Sequence, residues 1–280
     1  VAAGAASAPL NPAYGSSEFA FYLSDLDAKA LLIQAGMESP ARQVALEKGI
    51  PVIDLVPQRD AAAGKFELRG NAVAPPAQGG FAQAGDVALV LHTSGTTARP
   101  KMVPLTQANI CASAQHIRNT LVLTETDRCL NVMPLFHIHG LMAAVLASIA
   151  SGAGIFCTPG FDAGRFFEWM DECRPTWYTA VPTMHQAILE RAGDQSAIIA
   201  RNPLRFLRSS SASLPPNVMR ELERVFSAPL IEAYGRTEAA HQMASNPLPP
   251  RPRKPGSVGI AAGPDVAIMD ENGNLLSLDV

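Results

Sequence analysis

From residue 86 onward the chain alternates short apolar runs with helical patterns, and this alternation is its most restrictive feature. Strands and helices taken in turn build a parallel sheet with helices on both faces, an α/β architecture of layered parallel-type sheets flanked by helices. Strand candidates are residues 87–91, 129–133, 154–157, 177–181, 205–208 and 229–234. The first helix after residue 86 sets Ile110, Ala114, Ile117 and Leu121 on one apolar face behind a Thr106 N-cap. Residues 140–151 are apolar nearly all round, as a buried helix should be. Asp162 caps a helix carrying Phe166, Phe167, Met170 and Cys173, and residues 183–191 make another. Pro215 and Pro216 suit the first turn of a helix whose inner face is Val218, Leu222, Val225 and Phe226. Residues 1–60 repeat the alternation in smaller pieces: helix 18–26, strand 30–33, helix 39–48, strand 52–53. Residues 57–85, rich in Ala, Gly and Pro without period, read as an exposed connection. Beyond Asn246 prolines thicken, and residues 266–269 with the Glu271-Asn272-Gly273 turn suggest a hairpin. A small β-rich subdomain is therefore expected to begin at 246, after a partial large domain over 1–245.

Composition narrows the function. A hydrophobic share of 48% over 280 residues can bury a large core, and a net charge of −3 supplies no basic field for nucleic acid. Cys111, Cys129, Cys157 and Cys173 are widely spaced with no C-x-x-C pair, so neither a zinc site nor a disulfide framework is indicated and a reducing cytosol, hence a cytoplasmic location, fits. No apolar run is long enough to predict a membrane span. The absence of an initial Met and of a terminating signal makes the chain read as a segment of something longer.

Two turns carry the chemistry. Thr93-Ser94-Gly95-Thr96-Thr97-Ala98-Arg99-Pro100-Lys101 follows the strand at 87–91 and is expected to be a strand-to-helix loop. Its hydroxyls and close-approach backbone N–H groups are donors for phosphate, and Lys101 adds a cation that can reach a polyphosphate. A Walker P-loop is excluded, because Gly95 is not followed by the required Gly-Lys pair. The second turn is Tyr234-Gly235-Arg236-Thr237-Glu238, at a strand's C-terminal end, where open parallel sheets bind ligands.

The first turn resembles the T-S-G-[ST]-T-G-x-P-K phosphate signature of the adenylate-forming (AMP-binding) superfamily, which includes acyl-CoA synthetases. Eight of nine positions match, with Ala98 where the family commonly has Gly. The second resembles the family's Y-G-x-T-E motif. Between them, Pro134-Leu135-Phe136-His137-Ile138-His139-Gly140 is similar to its P-x-F-H-x-x-G segment, and residues 6–14 to the segment that precedes the phosphate loop.

The resemblance implies ATP, Mg²⁺ and coenzyme A as co-substrates and cofactors, with a small carboxylic acid as substrate. It assigns Thr93, Ser94, Gly95, Thr96, Thr97 and Lys101 to the phosphates, and Ser211, Ala212 and Ser213 to the adenine loop. Tyr234 would stack on adenine beside Gly235, Thr237 would donate to the α-phosphate, and Glu238 with Thr96 would hold Mg²⁺. Lys101, His137, Thr237 and Glu238 become the catalytic candidates. His137, Ser210, Gly235 and His241 become the acid pocket, with His241 expected on one helical face with Glu238. His139 would lie on a different side of any helix beginning here and is read as structural; a metal-ligating H-x-H pair is the alternative, against which no Cys or carboxylate follows at ligand spacing. A polar pocket suits an acid bearing a second carboxylate, and the combined motifs look most like the oxalyl-CoA synthetase branch. A fatty- or aryl-acid ligase and a non-catalytic nucleotide-binding module are the alternatives. The family's ribose-binding Asp segment, hinge and small C-terminal domain with its catalytic lysine are missing from this sequence, so weak adenylation by the segment alone is expected. The sequence admits a homodimer without dictating one.

Overall fold

The computed structural model describes residues 4–70, 80–93 and 100–276, so Ser94, Gly95, Thr96 and Thr97 of the phosphate signature lie outside the described residues. The chain forms two compact units, one running Ala8–Phe81 and the other joining Val1–Ser7 to Ala82–Val280.

In the smaller unit, helices α1 (Ser16–Asp25) and α2 (Pro40–Glu47) accompany strands β1 (Leu31–Gln34), β2 (Val52–Pro57) and β3 (Phe66–Gly70). Ser39 caps α2 by accepting the Ala41 N–H on its Oγ, and Pro40 fills the first turn, where no N–H is needed. Phe19, Leu23, Ala41, Val44 and Ala45 form the core. β1 pairs parallel to β2, while β3 returns antiparallel. The exposed connection expected over 57–85 thus contains a strand. Phe66 and Leu68 alternate with Glu67 and Arg69, a period of two that the surrounding Ala, Gly and Pro obscured.

The larger unit contains a seven-stranded sheet in the order β12-β11-β10-β9-β8-β6-β7. Its members are β6 (Arg128–Asn131), β7 (Gly154–Cys157), β8 (Trp177–Ala180), β9 (Phe206–Ser209), β10 (Leu230–Arg236), β11 (His241–Ser245) and β12 (Ile260–Ala261). β7, β6, β8, β9 and β10 run parallel, and β11 and β12 finish the sheet antiparallel. On one face Leu130, Tyr178, Leu207 and Leu230 pack with residues from α5 (Phe166–Cys173), α6 (Pro182–Arg191) and α8 (Pro216–Phe226). On the other, Cys129, Trp177, Phe206 and Ile231 meet α3 (Gln107–Thr120) and a π-helix, His139–Leu146, that continues into α4 (Ala147–Ala150). A short helix, α7 (Ser196–Arg201), precedes β9. The α/β class read from the alternation is therefore the observed one.

Two local differences matter for the site. β4 (Val87–Thr93) is followed not by a helix but by an antiparallel partner, β5 (Lys101–Thr106), which pairs Thr93 with Lys101. Val103 and Leu105 are buried while Met102 and Pro104 are exposed, and this alternation is the strand signal. The helix then starts where expected, with Thr106 as N-cap in a capping box with Asn109. From residue 246 on, β12 joins the large sheet through β11, and a Met269–Leu275 bridge marks the hairpin.

Candidate active site

The side-chain alternation of β8 and β9 builds the site. Trp177 and Phe206 bury apolar rings on the α3 side of the sheet; two residues on, the same face presents Thr179 and Arg208. The change from apolar to polar falls at the C-terminal ends of the parallel strands. Arg208 is 0% exposed, yet among the described residues it has no carboxylate partner. Its Nη1 faces His139 Nε2 at 3.3 Å and Thr179 Oγ1 at 3.4 Å; its Nη2 faces His241 Nε2 at 3.1 Å and Gln242 Oε1 at 3.4 Å. Its Nε, and the hydroxyls of Ser209 and Ser210, are buried without a hydrogen-bond partner among the described residues.

A guanidinium only donates, so both imidazoles turn a lone pair toward it and are neutral. His139 then carries its hydrogen on Nδ1, donating to Ser211 Oγ at 3.1 Å, while Thr179 donates to its Nε2 at 2.6 Å. The two rings stack with centroids 5.2 Å apart. Burial holds both imidazoles well below their ordinary range, and the neighbouring guanidinium adds to it. Burial also lowers Arg208, to about 10, which leaves it charged at neutral pH. On the opposite side of the sheet His185, pushed down to about 4 by burial, donates from Nε2 to the Arg208 carbonyl, and the Tyr178 hydroxyl meets its Nδ1.

The second part of the site is open. β10 bulges between Tyr234 and Gly235 as it pairs with β11, which turns Tyr234 outward, 41% exposed. Only glycine fits at 235, because a Cβ there would overlap the His241 carbonyl oxygen. Thr237–Ala239 is a single 3₁₀ turn ended by Ala240 in the left-handed conformation. Glu238 lies exposed on it, with Arg236 Nε 3.8 Å away. β5, which begins at Lys101, runs beside this turn. His137 is exposed with its ring against Phe136, and Gly140 is required because a Cβ would lie 2.5 Å from the Pro134 carbonyl oxygen.

The family model for AMP-binding enzymes matches residues 1–280. The chain belongs to the AMP-binding enzyme family. It is 43% identical to an oxalate–CoA ligase of Arabidopsis thaliana over 98% of its own length and 54% of the relative's. It is 39% identical to an oxalate–CoA ligase of Saccharomyces cerevisiae, over 96% of this chain and 53% of that one. Its fold overlays ATP-bound MatB from Rhodopseudomonas palustris with a TM-score of 0.76 at 27% identity, covering 97% of this chain and 53% of that one. The chain thus spans about half the length of the curated relatives it matches.

In this AMP-binding chain the expected site residues divide into two groups. His241 packs on Arg208, Ser211 reaches it through His139, and Ser210 is buried just past the end of β9, whereas Tyr234, Gly235, Thr237, Glu238 and Lys101 belong to the open part; Ser211, Ala212 and Ser213 are exposed. His241 does not share a helical face with Glu238. The left-handed turn at Ala240 starts β11 instead, and His241, itself at φ +102°, is buried while Glu238 is exposed. His139, read from the sequence as structural, packs against the guanidinium, and Arg208 went unnoticed. The available signal was an arginine inside a strand whose central position requires burial.

Proposed function

We propose that the chain is the ATP- and acid-binding part of an AMP-forming acid–CoA ligase whose substrate is a small dicarboxylate such as oxalate. The observation that supports the second carboxylate is Arg208: a fully buried cation, ligated by neutral groups, with an orphaned Nε and an orphaned Ser210 hydroxyl. A buried charge without a counter-charge is costly, and an incoming carboxylate supplies one. The names of the relatives, oxalate–CoA ligases among them, point the same way.

In this reading an oxygen of the reacting carboxylate bonds to the α-phosphorus of ATP as the bond to the bridging oxygen breaks, giving acyl-AMP and pyrophosphate. The thiol sulfur of coenzyme A then bonds to the acyl carbon and AMP leaves. The chain supplies positioning and charge, so no side-chain nucleophile is needed. Lys101 and the phosphate signature neutralise the polyphosphate, Thr237 donates to the α-phosphate, and Tyr234 offers its exposed ring to adenine. His137, Ser210 and Gly235 border the acid. Glu238, an exposed carboxylate beside β5, suits Mg²⁺, which binds through one or two carboxylates together with substrate phosphates. When bound, Mg²⁺ would spread the charge that builds on the phosphate oxygens. Four free cysteines fit a reducing compartment such as the cytosol.

The test is pyrophosphate release across a panel of carboxylic acids. Oxalate or another short dicarboxylate is expected to give the highest kcat/KM, and faster turnover of medium-chain fatty acids would refute the assignment.

A further inference from the structure

Resting on that reading, we infer that Gln242 is a specificity-determining position acting through Arg208: its amide keeps the guanidinium hydrogen-bonded but without an internal counter-charge, so the charge stays free for the substrate. Gln242 is 1% exposed, and its orientation is fixed by its partners. Nε2 donates to Thr120 Oγ1 at 3.0 Å and to the Ala262 carbonyl at 3.1 Å. A carbonyl can only accept, and the Thr120 hydroxyl spends its own hydrogen on the His116 carbonyl at 2.7 Å. Gln242 Oε1 must therefore face the guanidinium, which only donates.

Among the described residues, every side chain hydrogen-bonded to the Arg208 guanidinium from a neighbouring element is then neutral: Thr179 from β8, His139 from the π-helix, His241 and Gln242 from β11. The acidic group electrostatically coupled to it is the Cys129 thiol, and burial pushes that thiol up so that it keeps its proton. Gln242 is the one ligand among these that has a carboxylate of the same shape and length. Ionised glutamate there would place a carboxylate oxygen about 3.4 Å from Nη2 and satisfy the cation from within, at the loss of the two hydrogen bonds that Nε2 donates, a loss that Gln242→Met shares. The amide is thus what leaves the guanidinium charge for an anion from outside.

The experiment compares kcat/KM for oxalate with that for a monocarboxylate of similar size, glycolate, in wild type, Gln242→Glu and Gln242→Met, with thermal melting and KM for ATP measured in parallel. Gln242→Glu is expected to lower the oxalate/glycolate ratio roughly 100-fold with KM for ATP little changed. Gln242→Met removes the same hydrogen bonds without adding charge; it should slow both acids alike and hold the ratio within about threefold. An unchanged ratio in Gln242→Glu, or an equal fall in both variants, overturns the inference. If Gln242→Glu does not fold, Gln242→Met decides alone: a retained ratio supports the charge argument and a lost one overturns it. A wild type that does not prefer oxalate instead defeats the dicarboxylate reading itself, a separate outcome.

Discussion

The two halves of the site, both in the larger unit, solve opposite problems. The turn at Tyr234 to Glu238 is open: Tyr234, Arg236 and Glu238 are exposed, and the Arg236–Glu238 pair is loose at 3.8 Å. Arg208 and the side chains that meet it, Thr179, His139, His241 and Gln242, are buried, and they are ordered by hydrogen bonds whose donors and acceptors can be assigned one by one. An open turn suits a large polyanion that brings its own metal and changes charge during reaction. A closed pocket suits a small ligand that must be told from near relatives, because water there cannot substitute for a missing group. On the proposed function, the open end would bind the nucleotide and govern whether the reaction occurs, and the buried end would select the acid.

Substitutions can break that division of labour. The largest effect is expected at the open turn. Glu238→Ala should lower pyrophosphate release roughly 100- to 1,000-fold for every acid alike, as loss of a charge-stabilising group does elsewhere. A changed ratio between acids in that variant would mean that the two halves are not separate.

Next comes acid pH. His139, His241 and His185 are buried and neutral, with folded pKa values below the ordinary 6.5, His185 at about 4. Below about pH 6.5 the unfolded chain takes up protons that the folded chain refuses, so stability is full above that value and falls progressively toward pH 4. The urea midpoint should therefore drop between pH 7.5 and pH 5, and a flat midpoint would show that the imidazoles are not held neutral.

Smaller effects belong to ion pairs outside the site. Asp127 is buried, forks onto Arg205 at 3.0 and 2.9 Å and accepts from Thr176 and Thr124, so Asp127→Asn should cost about 1–3 kcal/mol after allowing for the partly exposed Arg205. Glu221→Gln, in an exposed pair with Arg224 on α8, should leave the melting temperature unchanged within error. Neither should alter the preference among acids; a shift in the oxalate/glycolate ratio would show the site to be coupled to the scaffold.

The open half was legible in the sequence because it is one contiguous stretch, so that Thr237 and Glu238 keep a fixed spacing from Tyr234. The closed half was not, because its members come from the π-helix, β8, β9 and β11 and share no spacing. The helix expected through His241 failed for a local reason: Gly235 allows β10 and β11 to close against each other, and the left-handed Ala240 reverses the chain after a single 3₁₀ turn. Alternation carried the five parallel strands of the large sheet well, since strands buried on both faces read as apolar runs, but not the antiparallel β11 and β12 that finish it. It missed β3 and β5, whose exposed residues break the run.

On the proposed function, Arg208 is maintained against stability in order to read a second carboxylate. Arg208→Met tests it most directly, with melting temperature and the oxalate/glycolate kcat/KM ratio measured on the same preparation. The account predicts a melting temperature equal to or above wild type, because replacing an uncompensated buried ion by an apolar side chain removes a desolvation cost, together with a ratio lowered roughly 100- to 1,000-fold. A variant that melts well below wild type while still preferring oxalate would contradict it, and would make Arg208 a structural residue.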